Sequence, residues 1–309
     1  MTATAWVFPG QGSQAVGMGK ALAEKYPEAA ALYEEADHAL GFSLSRLCFE
    51  GPDELLTRTD NAQPAILVTS LVHLTILQKY FSDKLDTEPP LFVAGHSLGE
   101  YTALVAGGAL AFSEAVRLVH TRGRLMNEVS KDERGRPSTG MVAVIGSDDP
   151  ALEELARQTG AEVANYNSPG QTAISGTLET LARFTEAAKA RGIKRIIPLP
   201  VSAAFHSSLM RPMAEELGRI ISKTIFSPAR IPVVSNVTAR PLPLDDPAML
   251  KLELTNQTYN PVRWVESVQT MVGGGAGRFI EIGPGKVLAG LIKRIQKEAE
   301  TINSEAILS

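Results

Sequence analysis

The chain has almost no cysteine, no strong excess of charge and no long apolar run, and each shortage removes a class of protein. Cys48 is the only cysteine in 309 residues. No internal disulfide framework and no cysteine-based zinc site can form, and a reducing, cytoplasmic setting is expected. The formal net charge is −4 and the pI is near 5.8. That balance argues against a nucleic-acid binder, whose domain is normally basic. No stretch of about 18 or more uncharged apolar residues occurs, so no membrane-spanning helix is expected. The opening residues Met1–Val7 lack a basic region followed by a long apolar one, and no signal peptide is expected. The Gly-x-x-x-x-Gly-Lys-Ser/Thr loop, the His-Glu-x-x-His pair and the EF-hand loop are also missing. Gly283-Pro284-Gly285-Lys286 resembles a phosphate loop only superficially and reads as a turn entering a helix. No metal and no nucleotide-type redox cofactor is implied.

What is present centres on residues 93–101, Val-Ala-Gly-His-Ser-Leu-Gly-Glu-Tyr. Leu91–Ala94 reads as a buried strand, Gly95-His96-Ser97-Leu98-Gly99 as a sharp turn, and Glu100–Ala106 as a helix. Strand, tight turn and helix are the context a nucleophile elbow requires. The glycines let strand and helix pass close to a strained serine. Ser97 Oγ then faces outward at the carboxyl edge of a sheet, beside a helix amino terminus that favours negative charge. The same stretch also reads as an ordinary strand-to-helix turn with serine as a cap.

Periodicity organises the rest. Thr4–Phe8 reads as a first strand, followed by the glycine-rich turn Pro9–Gln14. Helices are expected over 17–25, 28–40, 52–56 and 62–80, the last with Ile66, Leu67, Leu71, Leu74 and Leu77 near helical spacing. Ser113 is expected to cap a helix running to Val129, before the charged linker Lys131–Pro137. From 140 to 199 the order is strand, helix, strand, strand, helix, strand, with Pro169-Gly170 turning the central hairpin. That order is the ferredoxin-like signature. Helices follow over 209–224, 247–256 and 264–272, and strands over 231–235 and 278–282. A final helix spans 286–297, and the tail from Thr301 is expected to fray.

A serine nucleophile needs a base within hydrogen-bond reach. Of the five histidines, His96 adjoins Ser97 and should point away from its Oγ, and His38, His73 and His120 fall inside expected helices. His206, in Ala203-Ala204-Phe205-His206-Ser207-Ser208, lies where the small unit ends and a cleft would form. It is a candidate base, or an ordinary first-turn residue of the next helix. No acid stands out as a third triad member. Asp245 and Asp246 precede Pro247 and read more readily as a helix cap. Arg122 lies inside the apolar segment Leu118–Met126. It is either a solvated helix residue or a partly buried cation that needs an anion, which a substrate carboxylate could supply.

Taken together, these stretches resemble the malonyl-CoA:acyl-carrier-protein transacylase family over nearly the whole chain. The resemblance rests on Phe8-Pro9-Gly10-Gln11-Gly12-Ser13-Gln14, Gly95-His96-Ser97-Leu98-Gly99-Glu100, Arg122-Gly123 and Asn165-Tyr166-Asn167-Ser168-Pro169-Gly170-Gln171. It continues in Phe205-His206, Gln257-Thr258-Tyr259-Asn260-Pro261-Val262 and Ile282-Gly283-Pro284-Gly285-Lys286-Val287-Leu288. It implies an α/β fold, with an α/β-hydrolase-like core over 1–131 and 200–309 and an inserted ferredoxin-like subdomain over 138–199. It implies that Ser97 is acylated and His206 is its general base, a dyad rather than a triad. Backbone N–H groups of Gln11 and Leu98 would form the oxyanion hole. Arg122, Gln257 and Phe205 fall on the substrate side: Arg122 holds a malonyl carboxylate, Gln257 orients the imidazole through its carbonyl, and Phe205 packs where an α-methyl branch would sit. The implied partners are malonyl-CoA and phosphopantetheinylated acyl carrier protein, with no cofactor, metal, nucleic acid or membrane. A hydrolase that edits acyl carriers and a catalytically silent carrier scaffold are the alternatives, and the intact Ser97, His206 and Arg122 set argues against the second. An acidic carrier needs a local basic patch on this acidic chain. Candidates are Lys189, Arg191, Lys194, Arg195, Lys286, Lys293 and Arg294.

Overall fold

Five parallel strands carry the fold, and the chain visits them out of sequence order. A computed structural model describes residues 3–85, 89–147, 149–201 and 203–309. The strands are β1 (Ala3–Phe8), β2 (Phe92–Gly95), β7 (Val233–Val234), β8 (Ala276–Glu281) and β9 (Glu300–Asn303), arranged β7-β2-β1-β8-β9. Ala5, Trp6, Val7 and Phe8 of the central strand are buried without alternation, because helices cover both faces of a parallel sheet.

Helices α1 (Lys20–Lys25), α2 (Pro27–Leu40), α3 (Leu44–Glu50), α4 (Asp53–Leu56) and α5 (Thr59–Tyr80) lie between β1 and β2. Helix α1 begins later than Gly17 because Gly17 and Gly19 adopt positive φ, which only glycine takes at little cost. Helix α3 was not anticipated; it is short, and only Leu44 and Cys48 are buried. Helix α6 (Gly99–Ala106) follows the elbow, and α7 (Phe112–Val129) comes next. Ser113 does not cap α7: the helix starts one residue earlier, at an Ala111 N-cap with no side-chain bond.

The small unit is β3 (Thr139–Ile145), α8 (Asp149–Thr159), β4 (Glu162–Ser168), β5 (Gln171–Thr177), α9 (Leu178–Ala190) and β6 (Arg195–Pro198). Its antiparallel sheet has the order β4-β5-β3-β6 and its own core around Val144, Leu152, Leu155, Ile174 and Phe184. A bridge fastens it to the larger unit: Tyr166 N–H donates to Val262 O and Val262 N–H to Ala164 O, each at 2.9 Å.

Helices α10 (Arg211–Lys223), α11 (Pro247–Gln257), α12 (Trp264–Gly273), α13 (Val287–Ile295) and α14 (Ser304–Leu308) complete the larger unit. The expected frayed tail is overturned. Residues 300–303 pair in parallel with β8, and Asn303 Oδ1 caps α14 through Glu305 N–H at 2.7 Å. Ser304 is buried, its hydroxyl 2.8 Å from His73 Nδ1 and accepting Gly283 N–H at 3.0 Å. The segment has little apolar signal of its own, and the sheet edge supplies its backbone bonds.

Candidate active site

The turns after β1 and β2 meet at the carboxyl ends of two neighbouring strands, where parallel α/β sheets form crevices. Ser97 has φ 52°, a left-handed conformation that costs a non-glycine residue energy. Close packing holds it there. A Cβ on Gly95 would lie 1.9 Å from the carbonyl carbon of Gly99, and one on Gly99 would lie 2.1 Å from Phe8 O. Asn236, in the loop after β7, braces the turn: its Oδ1 accepts Ser97 N–H and its Nδ2 donates to Gly95 O, both at 2.7 Å.

Ser97 Oγ lies 2.7 Å from His206 Nε2. His206 Nδ1 lies 2.8 Å from Gln257 O and 3.2 Å from Asn260 O. A nitrogen facing two carbonyls must carry the hydrogen, so Nε2 is left to accept from Ser97. Burial pushes the imidazole down to about 3, with the Arg122 charge as the next cause. It is therefore neutral, and able to take a proton, at physiological pH. His206 too has a positive φ, 57°.

Arg122 is buried and reaches the same point from α7. Its Nη2 donates to Ser97 Oγ at 3.1 Å and to Gln257 Oε1 at 2.9 Å, and its Nη1 donates to Gln63 Oε1 at 2.8 Å. It forms no ion pair among the described residues, and its Nε has no partner. A buried guanidinium held by amides and a hydroxyl is poised for an anion.

A cavity of about 250 Å³ opens over Ser97, lined by Gln11, Gln63, His96, Leu98, Arg122, Met126, Asn167, Phe205, His206 and Leu291 among others. Neither the Gln11 nor the Leu98 backbone N–H donates to a protein acceptor among the described residues. Both residues line the cavity. No cluster of three or more His, Cys, Asp or Glu suited to a metal occurs among the described residues. Within the same limit, no helix is long and apolar enough to cross a membrane.

The other histidines lie apart from this chemistry. His96 turns its Nε2 to Asn167 Oδ1 at 2.8 Å, and His120 Nδ1 bonds Asp60 O at 2.8 Å. His73 is sealed against Ser304, and His38 is exposed. Asp246 caps α11 through Ala248 and Met249 N–H, so the acid loop serves the helix and not the imidazole. Gln257, expected on the substrate side, is fully buried and does not line the cavity. It touches Arg122 and His206 from behind.

The chain matches the acyl transferase domain family over residues 5–309. It belongs to that family. A malonyl CoA-acyl carrier protein transacylase of Bacillus subtilis is 45% identical over 307 residues, covering 98% of this chain and 93% of that protein. The crystal structure of an acyl carrier protein S-malonyltransferase from Vibrio cholerae superposes with TM-score 0.91 at 39% identity, covering all of both chains. A malonyl-transacylase in complex with its type II PKS acyl-carrier protein matches with TM-score 0.91 at 38% identity, over 98% of this chain and 96% of that one. Like these acyl transferases, the chain has a mixed α/β fold with one parallel sheet and one small antiparallel sheet.

Sequence reasoning gave no role to Asn236, Gln63 or Glu253, and noted Glu100 only as part of the elbow motif. Glu253 and Gln257 are spaced i, i+4 on α11, which puts them on one helix face. That spacing was the available signal. Asn236 had none, because its partner Ser97 lies 139 residues away.

Proposed function

We propose that this acyl transferase moves a malonyl group from malonyl-CoA to the phosphopantetheine thiol of acyl carrier protein, by a ping-pong route through an acyl-serine. The observation that carries the reading is the buried Arg122 guanidinium touching Ser97 Oγ with no carboxylate of its own. An acyl group ending in a free carboxylate supplies the missing anion. Ser97 Oγ attacks the thioester carbonyl while His206 Nε2 takes the hydroxyl proton. The oxyanion forms against the Gln11 and Leu98 N–H groups, each such donor worth about 3–4 kcal/mol in comparable sites. The tetrahedral intermediate expels CoA thiolate, which receives the proton from His206. The carrier thiol then gives its proton to His206 and attacks the ester, and Ser97 regains its hydrogen. The Gln257 and Asn260 carbonyls replace the acid of a triad by holding Nδ1–H.

Several finer readings go with this one. The larger unit is α/β-hydrolase-like and the small unit ferredoxin-like, divided at 1–131 with 200–309 and at 138–199; the strand order β4-β5-β3-β6 supports the second label. The working place is the cytoplasm. The carrier docks on the exposed basic residues Lys189, Arg191, Lys194, Arg195, Lys286, Lys293 and Arg294. Hydrolytic editing of neutral acyl groups is disfavoured, because such a group leaves Arg122 unpaired.

Incubation with malonyl-CoA followed by peptide mass mapping tests the proposal. The expected adduct is on Ser97, and His206→Ala lowers its rate by about 10²–10⁴-fold. A label on another residue, or full-rate loading in His206→Ala, overturns it.

A further inference from the structure

Behind the nucleophile, away from the cavity, two carboxyl groups meet. Glu100 is the second residue of α6 and is fully buried; Glu253, one turn before Gln257 on α11, is 5% exposed. Their side chains are hydrogen-bonded to one another. Two carboxylates in contact away from water cannot both be charged, so one proton is shared between them. The Gln257 amide lies between Glu100 and Arg122, bonding each.

Glu253 also bonds the Ser235 side chain, and the pair's remaining bonds lead toward the active site. Glu100 Oε1 accepts Asn236 N–H at 2.9 Å, and Asn236 holds the Ser97 turn. Glu100 Oε2 accepts Gln257 Nε2–H at 2.7 Å. The same Nε2 donates to Ser97 O at 2.7 Å, and Gln257 also contacts Arg122 and His206. Glu253 Oε1 accepts Val237 N–H at 3.1 Å, next to Asn236. Gln257 thus touches the nucleophile's backbone, the base and the guanidinium, and Glu100 fixes both amides that hold the elbow.

We propose that Glu100 and Glu253 act as a hydrogen-bonded acid pair that positions Ser97 and His206 through Asn236 and Gln257. They are positioning residues, since neither reaches the cavity. The inference rests on the serine–histidine dyad proposed above, but not on the identity of the acyl group.

The two carboxyls differ in what an isosteric amide does to them. Glu253→Gln can accept from Val237 N–H and donate to Glu100, replacing the shared proton. Glu100→Gln must turn an NH₂ group toward either Asn236 N–H or the Gln257 amide, both donors. Covalent labelling of Ser97 by a fluorophosphonate reads dyad geometry without any malonyl contact. Glu253→Gln should label at the wild-type rate, and Glu100→Gln about 100-fold more slowly, the loss expected from a misplacement near 1 Å. Malonyl loading should show the Glu100→Gln loss in kcat with KM little changed. Should Glu100→Gln fail to fold, Asn236→Ala should reproduce the slow labelling with the acid pair intact. Equal labelling of Glu100→Gln and wild type, or wild-type labelling of a folded Asn236→Ala, overturns the inference alone. A wild-type Ser97 that takes no label overturns the dyad, and the inference with it.

Discussion

The two sheets are built for different work. The parallel sheet is covered on both faces, and the polar groups at its carboxyl edge are tied residue by residue: Ser97 to Asn236, Asn236 to Glu100, Glu100 to Gln257, Gln257 to Arg122. The antiparallel sheet has a separate apolar core around Phe184 and faces the cavity with Met141, Asn165, Asn167 and Ala173. One unit fixes the reacting atoms, and both units line the space in front of them. The lesson is that precision resides in one unit while shape is shared.

The difference can be attacked first at Arg122. Arg122→Ala should lower malonyl loading by about 10²–10³-fold, the cost of losing a buried charge partner, while acetyl loading falls less or rises. Parallel loading assays with the two thioesters decide this, and equal losses would remove carboxylate recognition from Arg122. Next is the core of the small unit. Phe184→Ala should cost about 3–5 kcal/mol of stability. At low temperature it should still leave fluorophosphonate labelling of Ser97 within about threefold, because Phe184 packs in the small unit's own core and not against the elbow. Thermal melts and labelling on one sample test it, and a collapse of labelling would show a single cooperative core.

A smaller effect is expected where the units meet. Phe205 lines the cavity next to His206. Phe205→Ser should narrow malonyl-over-methylmalonyl selectivity by about 1–3 kcal/mol, the range for one methyl group, in a competition assay at equal thioester concentrations. Smallest is the response to acid. His206 is pushed from 6.5 down to about 3 and His73 from 6.5 down to about 4, both chiefly by burial. The base stays neutral as pH falls, so kcat/KM per folded molecule should be flat between about pH 7 and pH 5. Stability should move instead. Below 6.5 the unfolded chain takes up protons that the folded chain refuses, so the melting temperature should drop through the same window. An activity loss centred near 6.5 with an unchanged melting temperature would contradict both signs.

Much of this was legible where the signal is local. The elbow is announced by adjacent glycines, His206 by its place at the junction of the units, and Arg122 by its apolar neighbours. The brace was not legible, because Glu100 meets Asn236 across 136 residues and Gln257 across 157. Nothing in a short window marks a carboxyl that will be buried against another. The tail failed for a related reason. Residues 300–303 are polar and short, and only the edge of β8, supplied by tertiary structure, makes a strand of them.

The place of β1 in the sheet has a consequence for how the protein is made. This strand is synthesised first, yet it lies between β2 and β8, and β8 begins only at Ala276. A chain still on the ribosome carries its elbow on the order of 10 s before that neighbour emerges. Throughout that interval one side of β1 is unpaired, the wall that α13 forms over the cavity is missing, and His73 has no serine to bond. A message cut short between Ser97 and Ala276 yields a product with the elbow serine but without β8 beside β1 or α13 over the cavity. Until the carboxyl-terminal strands are complete, the chain therefore presents an open edge of β1, the kind of edge that invites pairing with another chain.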